Sequence, residues 1–214
     1  MIVVGVLASG SGTNLQAILD AIETETLAVR IAVVVSNVPG AGALDRARAA
    51  GVEAVVLQHT EFGDRRAFDA AVVQVLKGHG VDVVVLAGFM RLLTDVLLDA
   101  FPMRVVNIHP ALLPAFPGVH AQKQALEYGV RVAGCTVHFV DRGTDTGPII
   151  AQAAVPVFDD DDELTLRERI LAKEHELLPQ VLRWLGEGRV TFEPPAVDGG
   201  RGRVRVRGAT PSRI

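Results

Sequence analysis

Two polar side chains stand two positions apart in Asn107-Ile108-His109-Pro110, directly after the apolar pair Val105-Val106. In an extended strand that spacing sends both to the same face, so an amide and an imidazole project together. An amide N–H can donate to an oxygen that gains charge during group transfer, and an imidazole can donate as its cation or relay a proton. A lone histidine is more often a satisfied core or surface residue. A same-face pair that closes an apolar strand, with Pro110, Pro114, Pro117 and Gly118 stiffening the chain after it, points instead to a site.

Two further segments carry chemical potential. Ser9-Gly10-Ser11-Gly12-Thr13-Asn14 follows an apolar run and precedes Leu15, Ile18, Leu19 and Ile22, which recur at the spacing of one helix face. A glycine-rich turn that opens a helix offers backbone N–H groups and the helix dipole to an anion, although a tight turn without ligand fits equally well. The dinucleotide fingerprint wants glycine where Leu15 stands, and the P-loop lysine is missing. The other segment, Asp141-Arg142-Gly143-Thr144-Asp145-Thr146-Gly147-Pro148, reads as turn chemistry. Should it fold back over the strand that ends at His109, one carboxylate could orient the imidazole and favour its charged form, and Asp145 is the better candidate.

These residues need a scaffold, and the pattern supplies one. Apolar runs at residues 2–8, 31–35, 52–57, 81–87 and 105–108 alternate with helical patterns at 42–50, 65–76 and 94–100. That alternation predicts an α/β fold, a mostly parallel twisted sheet with helices on both faces. Residues 133–140 and 149–157 then flank the glycine-bearing loop and predict an antiparallel extension. A long helix follows over 164–185, with Pro179 expected to kink or interrupt it. The acidic run 159–163 reads as a solvated loop at that helix's N-terminus, since it lacks the glycine and ligand spacing of a calcium loop. From Asp198 onward the chain reads as a weakly ordered basic tail.

Composition narrows the class. With 214 residues, 49% hydrophobic and 21% charged, the chain suits one domain, here residues 1–190 with halves at 1–100 and 101–190, plus an extension at 191–214. A net charge of -4 gives no global field for nucleic acid. Residues 1–6 have no basic leader, and no apolar run reaches the ~20 residues of a membrane span. The single cysteine, Cys135, sits in an apolar run and reads as a small buried hydrophobe. A cytoplasmic protein with no nucleic-acid or membrane partner is expected, with a homodimer left open. The six histidines show no metal-ligand spacing, so no metal is expected.

Taken together, Ser9-Gly10-Ser11-Gly12-Thr13-Asn14, Leu86-Ala87-Gly88-Phe89-Met90-Arg91, Asn107-Ile108-His109-Pro110, Leu112-Leu113-Pro114 and Asp145-Thr146-Gly147-Pro148-Ile149 resemble the phosphoribosylglycinamide formyltransferases, folate-dependent enzymes of purine biosynthesis. The resemblance implies a Rossmann-like formyltransferase fold with antiparallel C-terminal strands and a long C-terminal helix. It implies two ligands, 10-formyltetrahydrofolate as co-substrate and phosphoribosylglycinamide as acceptor. The family's catalytic trio maps onto Asn107, His109 and Asp145. Its phosphate turn maps onto Gly12, Thr13 and Asn14, and its glycinamide contact onto Glu174, which by itself would read as an exposed helix residue. Its folate pocket maps onto Arg65, Met90, Arg91, Leu92, Leu93, Val140, Asp141 and Asp145. A cis peptide is implied at Leu113-Pro114. Ala111 stands where many relatives carry serine. Formyltetrahydrofolate deformylase and other formyltransferases of the same fold are the nearest rivals, and both would bring an extra domain. A non-catalytic nucleotide-binding module is the non-enzyme alternative, disfavoured by the imperfect glycine pattern.

Overall fold

The computed structural model describes residues 1–194 and 202–208. The chain divides into two compact units, Met1–Asn107 and Ile108–Ile214. In sheet order the seven main strands run β3-β2-β1-β4-β5-β6-β7, the mostly parallel α/β architecture that the alternation predicts.

In the first unit β1 (Ile2–Leu7), β2 (Val29–Ser36), β3 (Glu53–Val56), β4 (Val83–Leu86) and β5 (Val105–His109) are linked by α1 (Thr13–Glu23), α2 (Gly42–Ala49), α3 (Arg65–Gly78) and α4 (Asp95–Ala100). Every strand pair here is parallel. Val4, Val6, Leu7, Val33, Val34, Val35, Val84 and Val85 are buried with no or almost no exposure, as strands covered on both faces require. Strand order reverses at β1: β2 and β3 lie on one side of it, β4 and β5 on the other. Such a reversal opens a crevice at the carboxyl ends of the two strands beside it, here Leu7 and Leu86, which are register partners.

In the second unit β6 (Val132–Phe139) and β7 (Ile149–Pro156) pair antiparallel, with a register shift between Val137 and His138. A helix that the apolar pattern did not announce, α5 (Ala121–Tyr128), precedes them. The long α6 (Glu163–Gly186) packs on both strands and runs through Pro179 without interruption, so of the expected kink or interruption the second does not occur. Its buried stripe, Leu166, Ile170, Glu174, Leu178 and Leu182, recurs every four residues, and Pro179 is itself buried beside it. Burial along that whole face outweighs the ~3 kcal/mol that an interior proline costs.

The acidic run begins α6. Asp162 accepts from the Thr165 N–H at 2.8 Å while the Thr165 hydroxyl accepts from the Asp162 N–H at 3.0 Å, a reciprocal cap. Asp161 takes both terminal nitrogens of Arg169 at 2.7 Å, and that guanidinium holds its carboxyl well below the usual carboxylate range.

The expected weakly ordered tail is corrected in part. β8 (Val190–Glu193) and β9 (Arg203–Val206) form an antiparallel pair, with Arg205 ion-paired to Glu193 at 2.6 Å. The valines alternate with the arginines along β9, so one face can pack while the charges stay wet. Gly202, Arg203 and Val204 line a cavity of about 490 Å³ together with Asp141 and residues 146–149. The remainder of that tail, residues 198–201 and 209–214, lies outside the described residues.

Candidate active site

In the first unit the glycine turn begins where β1 ends. Gly12 has φ 75° and stands at the N-cap of α1, where it supplies no side-chain hydrogen bond. A Cβ on Gly12 would lie 2.6 Å from the Ala43 backbone, which restricts the position to glycine. The turn is tied to α2, because Ala43 donates to the Gly10 carbonyl at 3.1 Å and Arg46 Nε to the Ser11 carbonyl at 2.9 Å.

The segment after β4 is a strap held at both ends. At its start Ser9 N–H donates to the Gly88 carbonyl at 3.0 Å and Met90 N–H donates to the Ser9 hydroxyl at 2.9 Å. At its end the buried carboxylate of Asp69 accepts from both the N–H and the hydroxyl of Thr94, at 2.6 and 2.7 Å. Between these anchors Met90 is 72% and Leu92 56% exposed, an apolar surface left uncovered by its own unit, with Leu93 half-buried beside them. The Arg91 guanidinium lies 5.0 Å from the centre of the Phe68 ring, which stacks on Phe89. Arg65 is exposed at the start of α3, one residue after the cap Asp64. Asn107 sits in register with Leu86, near the end of β5.

In the second unit the imidazole and the carboxylate do converge. His109, buried, places Nδ1 3.5 Å from Asp145 Oδ2 and Nε2 2.9 Å from the Phe116 carbonyl. Both ring nitrogens thus face oxygen atoms of fixed position. Asp145 adopts φ 53°, outside the range most side chains prefer, and its Oδ2 also accepts the Gly118 N–H at 2.8 Å. Its other oxygen lies 3.7 Å from Nε2 of His138. His138 is buried in β6, burial pushes its pKa down, and its Nδ1 is 2.8 Å from the Phe139 carbonyl. The carboxylate therefore lies between two imidazoles.

The remaining expected residues fall into place unevenly. Asp141 is exposed and folds its own loop, accepting from Gly143 N–H at 3.0 Å and the Thr146 hydroxyl at 2.7 Å, with Val140 half-buried before it. Leu113-Pro114 is cis, as the resemblance implies. Glu174 is a carboxylate in the buried stripe of α6, where the pattern calls for an apolar side chain. Two contributors escaped the sequence reading as site residues. Ser9 reads there only as part of a turn and Asp69 only as a helix residue, because the contacts they make lie 81 and 25 positions away.

The formyl transferase family profile matches residues 2–182, and the chain belongs to that family. It is 42% identical over 198 residues to the phosphoribosylglycinamide formyltransferase of Escherichia coli, covering 92% of this chain and 93% of that one. It is 47% identical over 193 residues to the trifunctional purine biosynthetic protein adenosine-3 of Drosophila melanogaster, where the match covers 89% of this chain but spans 14% of the longer protein. Among solved structures, glycinamide ribonucleotide transformylase 1 from Symbiobacterium toebii superposes with a TM-score of 0.90 at 54% identity, covering 96% of this chain and 94% of that one.

Proposed function

We propose that the chain transfers the formyl group of 10-formyltetrahydrofolate to the amine of phosphoribosylglycinamide, a step of purine biosynthesis. The observation that carries the reading is the His109–Asp145 contact at the end of β5, in a chain that matches the E. coli formyltransferase over 93% of that enzyme's length.

The chemistry follows from the groups. The neutral substrate amine attacks the formyl carbon, a new C–N bond forms, and the carbonyl oxygen becomes an oxyanion. The bond from that carbon to N10 of the folate then breaks, and the proton lost by the amine ends on N10. Water stabilises such an oxyanion poorly unless donors are already aimed at it. Asn107 supplies an amide donor and His109 an imidazole donor. For the second role Nε2 exchanges its Phe116 contact for the oxyanion while Nδ1 keeps Asp145. The Asp145 carboxylate orients the ring through Nδ1 and holds the water that relays the proton. Gly12, Thr13 and Asn14 take the substrate phosphate at the start of α1, where the helix dipole favours an anion, and Glu174 takes the glycinamide portion. Arg65 and the strap Met90, Arg91, Leu92 and Leu93 border the folate, with Val140 and Asp141 from the later loop. A pterin needs apolar walls with a few fixed polar groups, which exposed Met90 and Leu92 beside Arg91 provide.

The test is an absorbance assay for tetrahydrofolate release from a 10-formyl folate, with and without phosphoribosylglycinamide. Release that depends on the amine is the expected result. Release without it indicates a deformylase, and no release in either case removes the reading altogether.

A further inference from the structure

Phe68, Asp69, Val72, Val73 and Leu76 are the buried residues of α3, a face on which every member but one is apolar. The exception, Asp69, is 2% exposed, and both hydrogen bonds described for its carboxylate come from Thr94, the N–H at 2.6 Å and the hydroxyl at 2.7 Å. Burying a carboxylate is costly unless donors meet it, and an apolar side chain would fill that place without the cost. Thr94 forgoes something as well. It stands at the N-cap of α4, where a threonine hydroxyl ordinarily accepts from the first helical turn, yet it makes no such cap and gives its hydroxyl to Asp69. Two residues thus depart from their local rules for one contact, which is what a functional constraint leaves behind.

That contact fixes where the strap ends. The preceding residue of α3 takes its middle: the Phe68 ring stacks on Phe89, lies 5.0 Å from the Arg91 guanidinium and is backed edge-on by Phe62 at 5.5 Å. Arg66 of the same helix is ion-paired with Asp95, one residue past Thr94. Among the described residues the backbone of Arg91, Leu92 and Leu93 makes no hydrogen bond, so the run between the anchors takes its course from its ends and from Phe68. We propose that Asp69 is a positioning residue for the folate: by fixing Thr94 it holds the exposed apolar wall of Met90 and Leu92 in its binding form before the ligand arrives, a role that rests on the assignment of the strap to the folate. A preformed wall spares the ligand the cost of ordering it.

Calorimetry measures the dissociation constants of a stable 10-formyl folate analogue and of phosphoribosylglycinamide, each alone, for the wild-type chain, Asp69→Leu, Thr94→Val, Thr94→Ser and the double variant Asp69→Leu/Thr94→Val. Leucine keeps the branched shape of the aspartate without its acceptors, and valine keeps that of threonine without its hydroxyl. A strap in place for a fifth of the time binds about fivefold more weakly, so Asp69→Leu and Thr94→Val should each weaken the analogue by about that factor or more. Thr94→Ser, which restores the hydroxyl, should bind as the wild type does. The double variant should be no worse than the worse single one, because both substitutions break the same contact. Phosphoribosylglycinamide should keep its wild-type affinity throughout, a split between ligands that general loss of structure would not give. Wild-type affinity for the analogue in Asp69→Leu overturns the role, as does equal weakening of both ligands; should that variant fail to fold, Thr94→Val decides by the same criteria. Leu92→Glu, a charge placed on the apolar wall itself, keeps the two readings apart. If it too binds the analogue as the wild type does, the strap does not border the folate and both fall; if it alone weakens binding, only the anchoring does. Amine-dependent formyl transfer by the wild-type chain is scored separately, so loss of the anchoring leaves the assignment of activity standing.

Discussion

Asp145 offers one carboxylate oxygen to each of two imidazoles, Oδ2 at 3.5 Å from His109 and Oδ1 at 3.7 Å from His138. The two rings are not equivalent. His138 is held against the Phe139 carbonyl and burial works against its charged form, whereas His109 ends a strand and faces acceptors at both nitrogens. A carboxylate between them is positioned to set the orientation of one ring while being itself held by the other and by the Gly118 N–H.

Replacing Asp145 by Asn keeps an acceptor for the Gly118 N–H and removes the charge. Turnover should fall by about 10²–10⁴-fold, the range seen when an orienting carboxylate or an oxyanion donor is lost, with the melting temperature little changed. Steady-state kinetics paired with a thermal melt read both quantities. Turnover within a few fold of wild type would remove Asp145 from the reaction.

Glu174 keeps a carboxylate in the buried face of α6. Glu174→Gln preserves its size and its capacity for hydrogen bonds but loses the charge. The KM for phosphoribosylglycinamide should rise by about tenfold or more, the value of one charge-assisted hydrogen bond, while the KM for the folate stays near its starting value. A variant in which both constants move together would argue for a purely structural carboxylate.

His79 caps the end of α3, with Nδ1 2.7 Å from the Val75 carbonyl and Nε2 3.0 Å from Glu53. The Val75 contact first, then Glu53, raises its pKa above the ordinary 6.5. A histidine raised in the folded state contributes stability that is complete below its unfolded pKa and disappears as pH climbs through the folded one. The melting temperature of the wild type should therefore exceed that of His79→Gln at about pH 5.5, and the gap should close by about pH 9. The pair is largely solvent-facing, so the gap is small. A gap that widens with pH would contradict the assignment.

Cys135 is fully buried in β6, and burial, with the nearby Glu174 adding to it, pushes its thiol up to about 12. Thiolate is the reactive form, so iodoacetamide at neutral pH should leave the folded chain unmodified and label it fully in denaturant. Mass spectrometry reads the difference directly. Rapid labelling of the native chain would show that the strand opens far more readily than its packing implies.

The parallel strands were legible because a strand covered on both faces is a short continuous apolar run, as in Val83–Leu86 and in residues 31–35 within Val29–Ser36, whose ends carry Arg30 and Ser36 and were not read. The turn at Gly12 and the same-face pair Asn107 and His109 were legible for a similar local reason. What escaped depends on distance along the chain or on weak local signals. The approach of Ser9 to Met90 and of Asp69 to Thr94 leaves no trace in any window of sequence. Helix α5 starts at His120 in a left-handed conformation with no side-chain cap, and its one clear signal is Gly129 at the far end. Pro179 does not interrupt α6 because the helix is held along one side by β6 and β7, and that packing outweighs the local cost of the ring.

The hairpin of β8 and β9 has a consequence for the life of the protein in a crowded solution. β7 ends the seven-stranded sheet, and a terminal strand with free backbone groups is a template on which other chains can polymerise. β9 packs beside β7, and its exposed Arg203 places a charge at the approach while Arg205 is ion-paired to Glu193. Deleting residues 190–214 should therefore yield a chain whose defect is precipitation with time and concentration, visible as rising light scattering, before any defect in its chemistry.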